Sequence, residues 1–549
     1  MTHPQGHGRH DRILRAAAAL LDRRRFLTVT GAAATLAFST NLPVAGAAQA
    51  AEAVPGALTE YPFTLGVASG DPTPSGVVLW TRLAPRPYEP APGNGLPEAA
   101  RVPVQWEIAR DDRFRRVVLR GIATAHPEFN HTVHVDAQGL APDRVYYYRF
   151  RAGPWISPPG RTRTAPAPGS LPYEMRLAAV SCQAYHDGYF TALGHLADED
   201  VDAVFHLGDY LYEYAVGATG GARAYTDRTL PPWFAKETVT LEDYRLRYAL
   251  YKSDPDLQAA HAAFPWFVTW DDHETENNYA GGSDESGGPG DEFLVRRAAA
   301  YRAYWENQPL RLPQLPQGPD MTLYRRFHYG RLAQFDILDT RQYRTDQAYR
   351  GRWHPPGPES QDPARTITGA TQERWLLDGL RNSHATWNVI PQQVVMSRRR
   401  SGTAAASPLS MDAWDGYPGS RDRVLAGAGA AGVENLLVLT GDVHVHYAMD
   451  IKADWDDPTS RTIGTELVTS SVTSGRDGSP RPSDWSAVMT ANPHLRFYDG
   501  RRGYVTVRLD AEEARADFKT VDSVTTPGAA LTTAASFVTE AGDPGLRET

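Results

Sequence analysis

The chain has 549 residues, a formal net charge of −9 at pH 7, 47 Gly, 42 Pro and one cysteine. An acidic balance without basic blocks argues against non-specific nucleic-acid binding, and a single cysteine excludes an intrachain disulfide. The length buries enough core for two or three domains, and the Gly and Pro content indicates many loops rather than disorder.

The first feature along the chain is Arg23-Arg24-Arg25-Phe26-Leu27, followed by the apolar stretch 26–38 and the small residues 44–50. These are the basic, apolar and small-residue regions of a secretory signal. Paired arginines before Phe-Leu fit a twin-arginine signal, so residues 1–50 are expected to pass through the twin-arginine translocase and be removed. The product is then secreted, extracellular or in the cell wall or periplasm. The apolar stretch is shorter than the roughly 20 residues that span a bilayer, and no later segment is long and apolar enough. Removal of 1–50 takes away six Lys/Arg and two Asp/Glu, leaving 50 against 63 and a net charge of −13.

Residues 57–164 read as all-β. The runs 63–71 and 76–81 are β-rich, and 102–108, 131–135 and 146–150 alternate at period two. Leu140-Ala141-Pro142 followed by Tyr146 resembles the corner in which a tyrosine anchors a strand of a fibronectin-type sandwich. A small Greek-key β-sandwich is the expected result. The proline-dense stretch 157–169 is the linker that follows.

From residue 172 to about 525, strands alternate with helices. Helical spacing covers 240–264, 292–307 and 372–380, and strands are expected at 332–338, 387–396, 436–440, 467–472 and 504–509. The order indicates a layered α/β domain. The last stretch, 526–549, is expected to be a tail or a lid.

Several apolar runs end in metal-binding groups. Cys182 ends one, Asp209 and Asp442 end two more, and Phe267-Val268-Thr269-Trp270 opens onto Asp271-Asp272-His273-Glu274. Asp209, with Tyr212 three residues on and Glu213 next, can bind one cation through both carboxylate and phenol while reaching a second. Asp442, His444 and His446 alternate, which in an extended segment puts them on one side. Two adjacent cations can clamp the attacking and leaving oxygens of a phosphoryl displacement.

Seven blocks, in order, resemble the secreted alkaline phosphatase D (PhoD-like) family of calcineurin-like metallophosphoesterases. They are Gly66–Pro72, Val78–Leu83, Ser181-Cys182-Gln183, His206–Tyr210, Trp270–Glu274 with Asn277-Asn278-Tyr279, Asp339–Gln342, and Gly441–His444. The resemblance runs from about Tyr61 to Leu509. It implies a four-layer α/β/β/α catalytic domain at 172–525 and a ferric iron beside calcium, with zinc or manganese as lesser alternatives. Cys182, Asp209, Tyr212 and His444 would hold the iron, since thiolate and phenolate suit a trivalent ion. Asp272 and Asp442, with Asn277 or its neighbour Asn278, would offer calcium the oxygen donors it prefers; Asp271 is read as structural.

By the same resemblance a metal-activated water attacks phosphorus in line. His273 would protonate the leaving alkoxide or hold a phosphate oxygen. Arg341 would steady the equatorial oxygens, and His446 would be a third imidazole or a partner of the ligands. The aromatic residues of Met411–Tyr417 are read as packing or pocket wall. The implied activity is alkaline phosphatase and phosphodiesterase action on extracellular organic phosphates, with cell-wall teichoic acid, nucleotides and phospholipids as substrate classes. A phospholipase D-type phosphodiesterase is the alternative on the same scaffold. A non-catalytic extracellular binding protein is the alternative of another class; it would require lost ligands, yet every ligand position holds a capable donor.

Overall fold

The computed structural model describes residues 38–40, 58–90, 94–97, 99–225, 228–287, 290–404, 406–483 and 485–549. The expected export signal therefore lies outside the described residues, except for the short strand Phe38–Thr40, which runs parallel to Thr132–Gln138.

Period-two alternation in Val102–Ala109 and Val145–Ala152 buries Val104, Trp106, Ile108, Tyr146, Tyr148 and Phe150 on one face. With Val117–Ala125, Trp155–Ile156 and Gly160–Arg163 these strands make a five-stranded antiparallel sheet. It packs on a layer formed by Val67–Thr73, Gly76–Arg82 and Thr132–Gln138, whose Val77, Leu79, Val133 and Val135 complete the core. The Tyr146 hydroxyl accepts a hydrogen bond from Ala141 N at 3.0 Å, the contact that pins a tyrosine corner.

That layer does not stop at the sandwich. Val67–Thr73 pairs in parallel with Pro265–Val268, Ser69 opposite Pro265 and Gly70 opposite Trp266. Gly70 allows the approach: a Cβ there would lie 2.7 Å from the carbonyl oxygens of Trp266 and Pro309. Sandwich and α/β region thus share one eleven-stranded sheet.

Beyond Pro265–Val268 the sheet continues through Ala203–His206, Glu174–Val180, Gly503–Asp510, Glu513–Val521, Leu531–Glu540 and Asp543–Glu548. Residues 526–549 therefore supply the last two strands, of which Asp543–Glu548 is the edge, as the β-branched Thr532, Thr533, Val538 and Thr539 favour. A second, seven-stranded sheet runs Arg325–Tyr329, Ala333–Ile337, Trp387–Pro391, Leu436–Thr440, Thr462–Val468, His446–Lys452 and Leu495–Asp499. The two sheets face each other across Leu177, Phe205, Phe267, Phe335, Val389, Leu437 and Phe518. Phe205 stacks on Phe267 and Phe335 at 4.7 and 4.8 Å; full burial of each such side chain contributes roughly 1.5–3 kcal/mol.

Helices Thr191–Ala197, Leu241–Lys252, Pro255–Ala263 and Asp291–Asn307 cover the outer face of the first sheet, and Gly369–Arg381 with Pro418–Ala430 cover the second. The result is α/β/β/α layering. The helix expected across 240–264 is two, because Pro255 starts the second and Asp254 caps it, accepting from Asp256 N and Leu257 N. No helix among the described residues is long and apolar enough to cross a membrane.

Candidate metal centre

Three strands of the first sheet, Glu174–Val180, Ala203–His206 and Pro265–Val268, are mutually parallel, and so are Trp387–Pro391 and Leu436–Thr440 in the second. Their carboxyl ends open onto one rim, where α/β sheets place ligands. The loops are stitched together at once: Cys182 N donates to Gly208 O at 3.1 Å, Gln183 N to Asp209 O at 3.0 Å, and Thr269 N to His206 O at 2.9 Å. Gly208 has φ +112, and a Cβ there would sit 2.4 Å from Asp271 Cβ. Only glycine lets the Asp209 loop lie against the Asp271 loop.

Donor atoms gather in three overlapping groups, each with its atoms within 4.8 Å of one another: Cys182, Asp209 and His444; Asp209, Asp272 and His273; Asp271, Asp272 and Asp442. Tyr212 joins the first group, its hydroxyl donating to Asp209 Oδ2 at 2.8 Å and lying 3.1 Å from His444 Nε2. Ser474 Oγ donates to that hydroxyl at 2.7 Å. Asp209 and Asp272 each belong to two groups, so the donors form one continuous centre.

Four of these residues, Cys182, Asp209, Asp442 and His444, hold φ between 57° and 66°. Left-handed backbone at non-glycine residues is unfavourable and gathers at functional sites. The segment 441–445 is accordingly not extended, and the alternation read from Asp442, His444 and His446 does not apply. Asp442 and His444 instead enter different donor groups. His446 faces away: Ser470 N donates to its Nδ1 at 3.0 Å, and its Nε2 meets Lys519 O at 3.2 Å. With both nitrogens held by backbone, it serves the strand Tyr447 continues rather than the centre.

The side-chain NH2 of Asn277 is turned to Glu285 Oε1 at 2.5 Å. Its neighbour reaches the centre only through backbone, Asn278 N donating to Asp272 Oδ2 at 2.6 Å. Arg341 is fully buried; its Nε meets Asp271 Oδ1, its Nη1 lies 2.9 Å from Asp412 Oδ1, and its Nη2 lies 3.4 Å from Asp442 Oδ1. The guanidinium fork is filled by carboxylates, which leaves no free edge for a phosphate.

The donor set suits cations. Burial, then Asp209, pushes the Cys182 thiol well above its usual range, and burial, then Asp209 and Cys182, does the same to the Tyr212 phenol. Burial also raises the Asp209 and Asp442 carboxyls. Such a crowd of dry acids holds protons, and a coordinated cation reverses that preference. Asp209 Oδ1 and Asp271 Oδ2 are buried with no hydrogen-bond partner, open positions that a cation would fill. Burial lowers His444 to about 3, which keeps its imidazole neutral and able to ligate.

Family models decide which centre this resembles: one described as PhoD-like phosphatase matches residues 177–518, and one described as its N-terminal domain matches 47–166. The chain belongs to the PhoD-like phosphatase family. It is 47% identical over 531 residues to alkaline phosphatase D of Bacillus subtilis (strain 168), spanning 96% of this chain and 89% of that one. A solved structure of PhoD shares 48% identity with it at a TM-score of 0.85, covering 89% of this chain and 92% of that chain. As a PhoD-like phosphatase the chain is a metal-dependent phosphoric ester hydrolase.

Sequence reasoning missed the groups that hold the PhoD-like centre in shape. Glu274, fully buried, accepts from Asp209 N at 3.0 Å, Tyr210 N at 2.6 Å and Asp271 N at 2.9 Å. Glu213 takes His273 Nδ1 at 2.8 Å and Asn277 N at 2.9 Å. Burial alone would lower the His273 pKa, but Glu213, Asp272 and Asp209 raise it well above the usual imidazole range. Asp412 accepts from Arg341, Arg344 and Gln347. Asp271, read as structural, stands in a donor group. Glu213 and Glu274 sit inside quoted motifs and were legible as carboxylates near ligands; Asp412 lies in the stretch Met411–Tyr417, of which only the aromatic residues were weighed, and nothing in sequence pointed to Ser474.

Proposed function

We propose that this chain is an exported alkaline phosphatase that hydrolyses both phosphomonoesters and phosphodiesters at an iron(III)–calcium pair. The observation that carries the reading is the shared carboxylate: Asp209 belongs both to the sulfur- and nitrogen-containing group and to the group with Asp272 and His273. Cys182, Tyr212, Asp209 and His444 would hold the iron, their soft and phenolic donors suiting a trivalent ion. Asp272, Asp442 and Asp209 would hold calcium through oxygen alone, with Asp271 in reach. When bound, the cations neutralise charge on the phosphoryl oxygens and acidify water for attack on phosphorus.

The chain's own groups do the rest. Glu213 fixes the His273 ring through Nδ1, which leaves Nε2 as the atom that delivers a proton to the departing alkoxide. Glu274 keeps the two carboxylate loops in register. Arg341 balances Asp271, Asp412 and Asp442. The arginine pair ahead of Phe26-Leu27 would direct the folded protein through the twin-arginine route, to extracellular or cell-wall phosphate esters.

Elemental analysis of the protein as isolated tests the reading, paired with hydrolysis of p-nitrophenyl phosphate and bis-p-nitrophenyl phosphate before and after chelation. Iron and calcium with both activities lost on chelation are expected. Zinc in place of iron, or chelator-resistant hydrolysis, overturns the assignment. Export is tested separately by fusing residues 1–50 to a folded reporter, whose retention in the cytoplasm would contradict it.

A further inference from the structure

The solvent face of the five-stranded sandwich sheet is unlike the rest of this acidic chain. Its register sets the outward side chains in rows: Ile156, Arg151, Gln105 and Ile122 in one, Arg149, Glu107 and Arg120 in the next. The loop that leads into its edge strand adds exposed Arg110, Arg113, Arg115 and Arg116 against Asp111 and Asp112. Asp111 is committed to that loop, accepting from Arg115 N and Arg116 N, and Glu107 is committed to Arg149 at 2.5 Å. Residues 58–163 carry 13 arginines and ten acidic side chains in a chain of net charge −9.

Apolar side chains stand among these arginines. Ile122 is 62% exposed, Ile156 38% and Val118 37%, which makes three of the nine exposed large apolar residues in the described chain. An outward sandwich face is ordinarily polar, and clustered exposed apolar residues mark an interaction surface. A soluble polyanion would use the arginines and have no use for Ile122 or Val118. A bilayer with anionic headgroups uses both, the apolar groups at the acyl boundary and the guanidinium groups at the phosphates. We propose that this face docks the protein peripherally on an anionic lipid bilayer, independently of which esters the metal centre cleaves.

The test uses the full-length protein, sedimented with phosphatidylglycerol-containing vesicles and with purely zwitterionic ones, at low and high salt. Binding only to the anionic vesicles, weakened by salt, is expected. Arg120→Gln/Arg151→Gln should weaken it by roughly tenfold or more, as should Ile122→Asp, with p-nitrophenyl phosphate hydrolysis unchanged. Ile122→Thr, which keeps strand propensity, is the check that any loss is not misfolding, and it should show an intermediate affinity. Absence of vesicle binding overturns the proposal. Retention on soluble polyphosphate with no vesicle binding overturns it too, as does an Arg-dependent affinity indifferent to Ile122→Asp. Self-association through this face, or coverage by residues 41–57, would show as vesicle binding that appears only on dilution or on deletion of that segment, and would likewise overturn it.

Discussion

Replacing Glu274 by glutamine keeps the shape of the side chain and removes one acceptor from a three-pronged clamp. Glu274 Oε2 accepts from Asp209 N and Asp271 N, while Oε1 accepts from Tyr210 N. The amide oxygen of glutamine can serve the first pair, which turns its NH2 toward Tyr210 N–H. One buried donor is then left unmet and opposed, at a cost of about 1–3 kcal/mol. Because 1.4 kcal/mol is tenfold in an equilibrium constant, the loss corresponds to roughly 5–150-fold in the affinity of a centre that needs Asp209 and Asp271 in register. Residues that support ligands indirectly typically change metal affinity by about 10–100-fold, so two independent routes agree. The assay is chelator competition with metal content read by plasma mass spectrometry, alongside the Tm of both metal-loaded proteins. Metal affinity within twofold of wild type would refute the reasoning. A lowered Tm with unchanged affinity would refute it as well, because Glu274 would then support the fold and not the centre.

Tyr212→Phe should abolish a visible phenolate-to-iron absorption in the iron-loaded protein; an unaltered spectrum would remove Tyr212 from the ligand set. His273→Asn should lower kcat by about 10²–10⁴ for alkyl phosphates and much less for p-nitrophenyl phosphate, whose leaving group needs no proton; equal losses on both would deny it the acid role. Asp71→Asn leaves Arg325, otherwise held at 2.9 Å and 8% exposed, as an uncompensated buried cation. It should destabilise the protein by about 3–5 kcal/mol, and a Tm unchanged within error would contradict that. Burial holds His134 at about 4 against an ordinary 6.5, so the folded state binds fewer protons than the unfolded one between those values. Its contribution, about 3 kcal/mol, is present above pH 6.5 and lost as pH falls to 4. His134→Gln should flatten the fall of Tm over that window, and an unchanged slope would contradict the account.

Much of this molecule was legible because strand tips announce themselves. Apolar runs that stop at Cys182, Asp209, Asp271-Asp272 and Asp442 locate both the rim and its donors, since a buried parallel strand must be apolar until it emerges. Backbone geometry was not legible in the same way. Nothing in Gly441-Asp442-Val443-His444-Val445-His446 signals left-handed φ at Asp442 and His444, so a period-two argument sent His446 to the wrong side. Arg341 was misjudged because a strand-end arginine looks available until the carboxylates around it are known. Those come from residues 271, 412 and 442, and only tertiary packing unites them. The tail at 526–549 was underestimated because its two strands, the last of the sheet, do not alternate cleanly between buried and exposed positions.

The ladder between Ser69–Gly70 and Pro265–Trp266 bears on how the protein can be dissected. Excising the N-terminal module would strip a neighbour from Pro265–Val268 and bare a row of unpaired amides beside the loop that carries Asp271 and Asp272, a template for aggregation. Truncation at the proline-dense connection is therefore expected to yield an insoluble hydrolase rather than a minimal one. A tug on the module would be felt at Trp266, five residues before the donor Asp271.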